Sequence, residues 1–334
     1  MDNKITKQRL QDFFSYEWVT MVVAIILAIV MCSFVFNIFE VKPTVGQTFN
    51  IIYDQNLKLS KEDTFYEDVN SKAFSFEILD WQGERMSAEY NVLDIRIQTH
   101  DADVIFTDSV ISKEEGDVSI SRAWSVIDGF DIVDYKTLAS RAAAYLKQFL
   151  QDAWASKWEF VTDFSKLDLN KIDKNFENRA KQDNRFRTTE KMNEGKLLER
   201  ERIKTLCSDL AKMNYLLTEH SEIFMNYTKY QQALDRATAA KNQEAIDQIN
   251  GWIEEGAGNM PYAIDLGKLT SPQGKTGVSN FFKVGQNSDA TDVVLMVIDL
   301  EIVQYELQFE SLRFAIFMVE NYTDILGNSE NWES

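Results

Sequence analysis

Residues 18–39, WVTMVVAIILAIVMCSFVFNIF, lie between Glu17 and Glu40 and carry no formal charge. A helix of 22 residues spans about 33 Å at 1.5 Å per residue, close to the hydrocarbon thickness of a bilayer. Tyr16 and Trp18 mark one end and Phe39 the other, as expected of rings that settle at a membrane interface. A cleavable signal would need a shorter apolar core and a small-x-small site, and FVFNIFEV offers no such site. Ile29, Val30 and Met31, before Cys32, lack the small residues of a lipoprotein cleavage box. The segment is therefore predicted to stay as a single transmembrane anchor in contact with lipid. Lys4, Lys7 and Arg9 precede it, and only Lys42 follows closely. Basic residues are retained on the cytoplasmic side, so residues 1–17 are expected inside the cell membrane and the remainder outside.

Beyond the anchor, the 334-residue chain has room for one large domain or two medium ones. Hydrophobic residues make up 45%, enough to bury a core. Gly (13) and Pro (3) are scarce, which disfavours a turn-rich all-β sandwich and favours a helix-rich or mixed fold. The net charge is -18, and the tail carries as many bases as acids, so the acidity belongs to the outer part. Such a surface repels nucleic acid, and no basic face with interleaved aromatics offsets it. Cys32 sits in the apolar segment and Cys207 in a polar helical stretch, so no disulfide is expected. An exported domain held by its core alone fits a bacterial source.

Pro43 and Gly46 end the anchor helix. Phe49, Ile51 and Tyr53 alternate as a strand, and Phe74, Phe76 and Ile78 alternate as a second one ending at Trp81. Between them, 60–72 reads as a short helix with Ser60 as N-cap. The stretch 86–97 fits a helix or a strand. Val104, Ile105 and Phe106 form a short buried strand, and 134–161 reads as a helix with Leu138, Ala142, Tyr145 and Phe149 on one stripe. Strands separated by helices suggest parallel β-α-β construction. The polar stretch 163–196 is expected to be an irregular exposed excursion. Ile203, Leu206, Leu210, Met213, Leu217, Phe224 and Tyr227 follow steps of three and four, interrupted by His220. That seam either binds a partner helix or packs on its own domain, the second being favoured because the run is short. Tyr262–Leu266 and Val293–Ile298 read as strands flanking a loop at 270–290. A final helix is expected to bury Ile302, Tyr305, Phe309, Leu312, Ile316 and Val319 and to expose Glu301, Glu306, Glu310, Arg313 and Glu320, which rules out a second membrane span.

Five stretches carry a family resemblance: QTFNIIYDQ, HDADVIFTDS, VIDGFDIVDYKTLASRA, NMPYAIDLGKL and VVLMVIDLEIVQYELQFESLRFAIFMVENY. Their order resembles the type 2 periplasmic-binding-protein-like fold of the extracellular solute-binding proteins of ABC transporters. The resemblance implies an α/β domain over 47–326, with one lobe at 47–160 and 290–326 and a helical second lobe at 163–285. It also implies capture of a small solute, a sugar or a peptide, and an ABC permease as membrane partner. An uncleaved helix replaces the family's lipidated cysteine, and 163–250 is more charged than a usual second lobe. By resemblance, the ligand cleft would gather Tyr53 and Asp54 after the first strand, Trp81 after the second, Asp108 after the third and Tyr262 at the crossing. Trp252, with Trp81 and Trp124, lies at an element end where a ligand could stack on its ring.

No catalytic motif stands out. His100 and His220 have no Cys partner at metal-ligand spacing, and HExxH, G-x-S-x-G, the P-loop and G-x-G-x-x-G are absent. Asp101, Asp103 and Asp108 lack the glycine and terminal Glu of a calcium loop. The sequence thus points to a non-enzymatic protein without metal or cofactor. It reads as a tethered solute-binding protein of an ABC-type system, or as an interaction subunit of a membrane complex that has lost its ligand.

Overall fold

A computed structural model describes residues 7, 11, 18–39, 43, 47–53, 57–59, 62–85, 95, 102–108, 126–127, 131–154, 163–181, 183–228, 230–254, 259–269, 282–284, 288–289, 293–299 and 305–327. The chain divides into two compact units, Met1–Lys42 and Pro43–Ser334. In the first, α1 (Trp18–Phe39) is one uninterrupted helix. Its side chains from Trp18 to Val35 are all exposed. A helix apolar all round and covered by no protein suits a lipid environment, and this one is long enough to cross a membrane.

The second unit is built on a mixed sheet. Its strands are β1 (Thr48–Tyr53), β3 (Asp80–Arg85), β4 (Val104–Asp108), β5 (Ile132–Val133), β6 (Phe224–Thr228), β7 (Asn259–Asp265) and β10 (Val293–Ile298). The order is β3-β1-β4-β10-β7-β6, with β5 also pairing with β10. A small separate sheet joins β2 (Leu57–Leu59), β8 (Phe282–Val284) and β9 (Ser288–Asp289). β1 runs parallel to both β3 and β4, as the β-α-β reading expects. The other half is antiparallel, because β10, β7 and β6 each reverse against their neighbour. β6 and β7, from the stretch expected to form a second lobe, enter the same sheet as β1, β4 and β10.

β10 is buried along its whole length. That is why it is apolar without interruption: a strand covered on both faces cannot alternate with polar residues. On one face lie Phe49, Ile51, Phe106 and Leu295; on the other lie Ile52, Ile105, Val294 and Met296, with Val126 and Ile127. The first face is covered by α2 (Glu62–Asp68), α3 (Tyr135–Lys147), α5 (Thr189–Glu219) and α8 (Tyr305–Tyr322). Before α5 comes α4 (Leu169–Ala180), and after β6 come α6 (Gln231–Ala239) and α7 (Gln243–Glu254). Side-chain caps set several starts. Asp134 accepts from Thr137 N at α3, Asp168 from Asn170 N and Lys171 N at α4, and Thr188 from Lys191 N at α5.

Three expectations need correction. The first concerns Phe74, Phe76 and Ile78, which form no strand; the strand begins at Asp80. Their alternation serves two clusters instead of one sheet face. Phe74 packs on Phe49 and Phe314, while Phe76 packs on Phe176 and Phe186.

The second concerns 163–196, which is ordered by α4 and the start of α5. A narrow stripe of Ile172, Phe176 and Ala180 is all that α4 buries. Its charges are held by α5 through Asp173–Arg200, Glu177–Lys196 and Arg179–Glu199. The helices approach so closely that a Cβ on Gly195 would fall on the ring of Phe176.

The third concerns the expected helix over 134–161, which ends at Lys147, where the chain turns and Leu150 bridges to Leu167. Of the seam residues, Ile203, Leu206, Leu210 and Met213 are buried in the chain's own core, and Phe224 and Tyr227 belong to β6. Ser60, most of 86–97 and most of the 270–290 stretch lie outside the described residues.

Candidate functional site

A cleft of about 210 Å³ opens where the segment Phe74–Phe76 passes over the contact between α5 and α8. Phe74, Phe76, Leu198, Leu206 and Phe309 supply its apolar walls. Its polar groups are Ser75, Glu201, Arg202, Thr205, Asp209, Glu310 and Arg313. The helix period sets this arrangement, since 198, 202, 205 and 209 step by three and four and so share one face of α5.

The floor is a chain of buried charge. Glu199 is fully buried and Arg202 and Glu310 nearly so. Arg202 donates through Nε and Nη2 to the two oxygens of Glu199, at 2.8 and 3.0 Å, and through Nη2 to the Tyr145 hydroxyl at 3.2 Å. Arg179 donates to Glu199 at 2.5 Å and lies 2.8 Å from Glu77. The Glu310 carboxylate accepts from Ser75 Oγ at 2.5 Å and Ser75 N at 3.2 Å, which ties the strap over the cleft to α8. Burial opposes the charge on Arg202, yet Glu199, Tyr145 and Glu310 keep its guanidinium protonated well above the usual range. Burial pushes the Glu77 carboxyl up, against the pull of Arg179 and Arg202.

Deeper along α5, Arg313 donates to both oxygens of Asp209, at 3.0 and 3.3 Å. Lys212 lies 3.9 Å from Asp209 and pairs with Glu320. The exposed charged face expected for α8 is therefore corrected: Glu310 is buried, and Arg313 and Glu320 are spent on ion pairs with α5. Cys207, on the same helix, has its thiol pushed up to about 12 by burial and by Asp209, so it is an inert core residue.

The residues expected to line a ligand cleft are dispersed. Tyr53 is buried, stacked on Phe106, with its ring over Gly83 of β3. Asp108 ends β4 at the same end of the sheet, two residues past the partner of Tyr53. Trp81 opposes Phe49 at the other end of β1, about 13 Å away along the strand. There it packs on Tyr66 and donates to Asn70 Oδ1. Trp252 is half-exposed on α7 against Tyr230. Tyr262 packs beside Tyr227 in β7, its hydroxyl pushed up by burial and by Asp134. Asp54 lies outside the described residues. The cleft beneath Phe74–Phe76 is lined by none of the five described ones. Its own residues carry no local signature, because a charge flanking an apolar helix stripe is ordinarily solvated. Among the described residues, no group of three or more His, Cys, Asp and Glu could hold a metal ion.

Asp209 makes the site sensitive to pH. Burial pushes its carboxyl from an ordinary 3.8 up to about 7, with Arg313 and Lys212 pulling the other way and Glu320 adding to the rise. Between those two values the native state holds a proton that the unfolded chain has released. The stability from this group is therefore full below its unfolded value and is lost as pH rises through the folded one. Urea titrations of wild type and Asp209→Asn should diverge between about pH 4 and 7, with wild type losing up to about 1.4 kcal/mol per unit relative to the variant. Parallel profiles would mean that Asp209 is ionised throughout.

No protein-family model, no curated protein and no solved structure matches the chain.

Proposed function

We propose that the chain is a membrane-tethered, non-catalytic binding protein whose outer domain takes a small solute into the cleft between Phe74–Phe76, α5 and α8. The observation that carries this reading is the cleft itself, an apolar-walled cavity with convergent polar groups of both signs. Under this proposal the anchor α1 keeps the domain at the bilayer, and the basic residues before it support an outward orientation. In this reading an ABC-type permease is the membrane partner. The element order that resembles the two-lobed solute-binding proteins then reflects descent, the second lobe being reduced to helices and two strands of the common sheet.

A second reading, an interaction subunit that has lost its ligand, draws on Leu197 and Leu198 of α5. They are 59% and 46% exposed at the edge of the cleft, where a partner could cover them.

One measurement tests the orientation that both readings share, and a second separates them. Protease added to intact cells should remove the domain beyond residue 43; an untouched domain would put it inside. Full-length protein in detergent should be stabilised by some member of a panel of sugars, short peptides and amino acids, by about 2.7 kcal/mol at a hundredfold excess over Kd. Leu198→Trp, which fills the cleft, should abolish that gain. A panel without a stabiliser, or a gain that Leu198→Trp leaves intact, would favour the interaction subunit.

A further inference from the structure

Two polar groups in the cleft have unspent hydrogen-bonding capacity. The first is Nη1 of Arg202. Every other nitrogen of this buried guanidinium is engaged by Glu199 or Tyr145. Nη1 makes no hydrogen bond: Glu310 Oε1 lies 3.9 Å from it, beyond hydrogen-bond reach, and the oxygens of Glu310 already accept from Ser75.

The second is the hydroxyl of Thr205, one turn along α5. A helical threonine ordinarily returns its proton to a carbonyl one turn back. Thr218, Thr238 and Thr323 do so, at 3.0, 2.7 and 2.7 Å. Thr205 makes no hydrogen bond among the described residues, although it is half-buried in the cleft wall. Two donors, three residues apart on one helix face, therefore line the cleft without a hydrogen-bond partner among the described residues.

The charge balance narrows what can fill it. Glu201 and Glu310 balance Arg202 and Arg313 around the cleft, and Asp209 adds a negative charge once it ionises, so an unaccompanied anion meets no net positive field. Glu201 stands at the mouth, 70% exposed, held only by a surface pair with Lys204. Such a pair is worth little and exchanges readily for another cation. Glu201 and Thr205 are four residues apart and so lie on the same side of α5. The walls beyond, Phe74, Phe76 and Leu198, are apolar.

We infer that the cleft takes a small zwitterion with an apolar side chain, an α-amino acid of about the size of leucine. Its carboxylate accepts from Arg202 Nη1 and Thr205 Oγ1, its ammonium faces Glu201, and its side chain lies between Phe74, Phe76 and Leu198. The carboxylate supplies the missing acceptor, and the ammonium pairs with Glu201. This rests on the reading of the cleft as a ligand site.

The test compares L-leucine, N-acetyl-L-leucine, L-leucine amide and glucose by calorimetry on the full-length protein in detergent. L-Leucine should bind, and blocking either charged end should weaken binding at least about tenfold, since each block strands a buried or charged partner. Thr205→Val keeps the shape and removes one donor, and should weaken L-leucine by a comparable factor. Glu201→Gln should weaken L-leucine but should not weaken the residual binding of N-acetyl-L-leucine, an anion that Glu201 only repels. Equal binding of leucine and its blocked forms, or indifference to Thr205→Val, would overturn the inference. If glucose binds instead and Leu198→Trp abolishes it, the zwitterion falls and the binding reading stands. If no compound binds, and no member of the wider panel does, both fall.

Discussion

The structure depends on the need to neutralise charge on the inward face of α5. Glu199, Arg202, Asp209 and Lys212 all point into the protein, and a buried charge is tolerated only with a partner and hydrogen bonds. The partners come from distant parts of the chain: Arg179 of α4, and Glu310, Arg313 and Glu320 of α8. Satisfying them fixes how α4 and α8 lie against α5. Through Ser75 and the Lys72 carbonyl it also fixes where the strap crosses. The cleft is the space left when these demands are met.

The reading of the fold succeeded where a single local pattern carried the information. A strand buried on both faces must be apolar throughout, so β10 is visible as Val293–Ile298. The inward stripe of α8, with Phe309, Leu312, Ile316 and Val319, follows the helix period. It failed where one pattern served two masters, as at Phe74 and Phe76, and where polarity was structural. Residues 169–180 look solvated because nine of the twelve positions in α4 lie outside its buried stripe of Ile172, Phe176 and Ala180, and the charges among them answer α5.

The candidate site was less legible than the fold. Aromatics at strand ends are the natural expectation for a ligand cleft in an α/β domain, but Tyr53, Trp81 and Tyr262 each pack against other rings. The groups that do line the cleft pair across the chain, Asp209 with Arg313 and Arg202 with Glu310. No spacing rule connects residues a hundred positions apart. Nor does any single position hint that Thr205 lacks the carbonyl bond its helical neighbours make. An ion ladder of this kind is a poor source of stability, because desolvation consumes most of the attraction between its members. Its presence beside a cleft is better explained by the donors and acceptors it holds in place.

That claim is tested most directly by urea unfolding of two variants. Arg202→Met alone leaves Glu199 with Arg179 as its one cation and Glu310 with Ser75 but no cation, and should cost about 3–5 kcal/mol. Glu199→Leu, Arg202→Met and Glu310→Leu together leave Arg179 paired with Glu77 and should restore stability to within about 1 kcal/mol of wild type, or exceed it. A triple variant as unstable as the single one would show that the ladder holds the fold together, and would contradict the account.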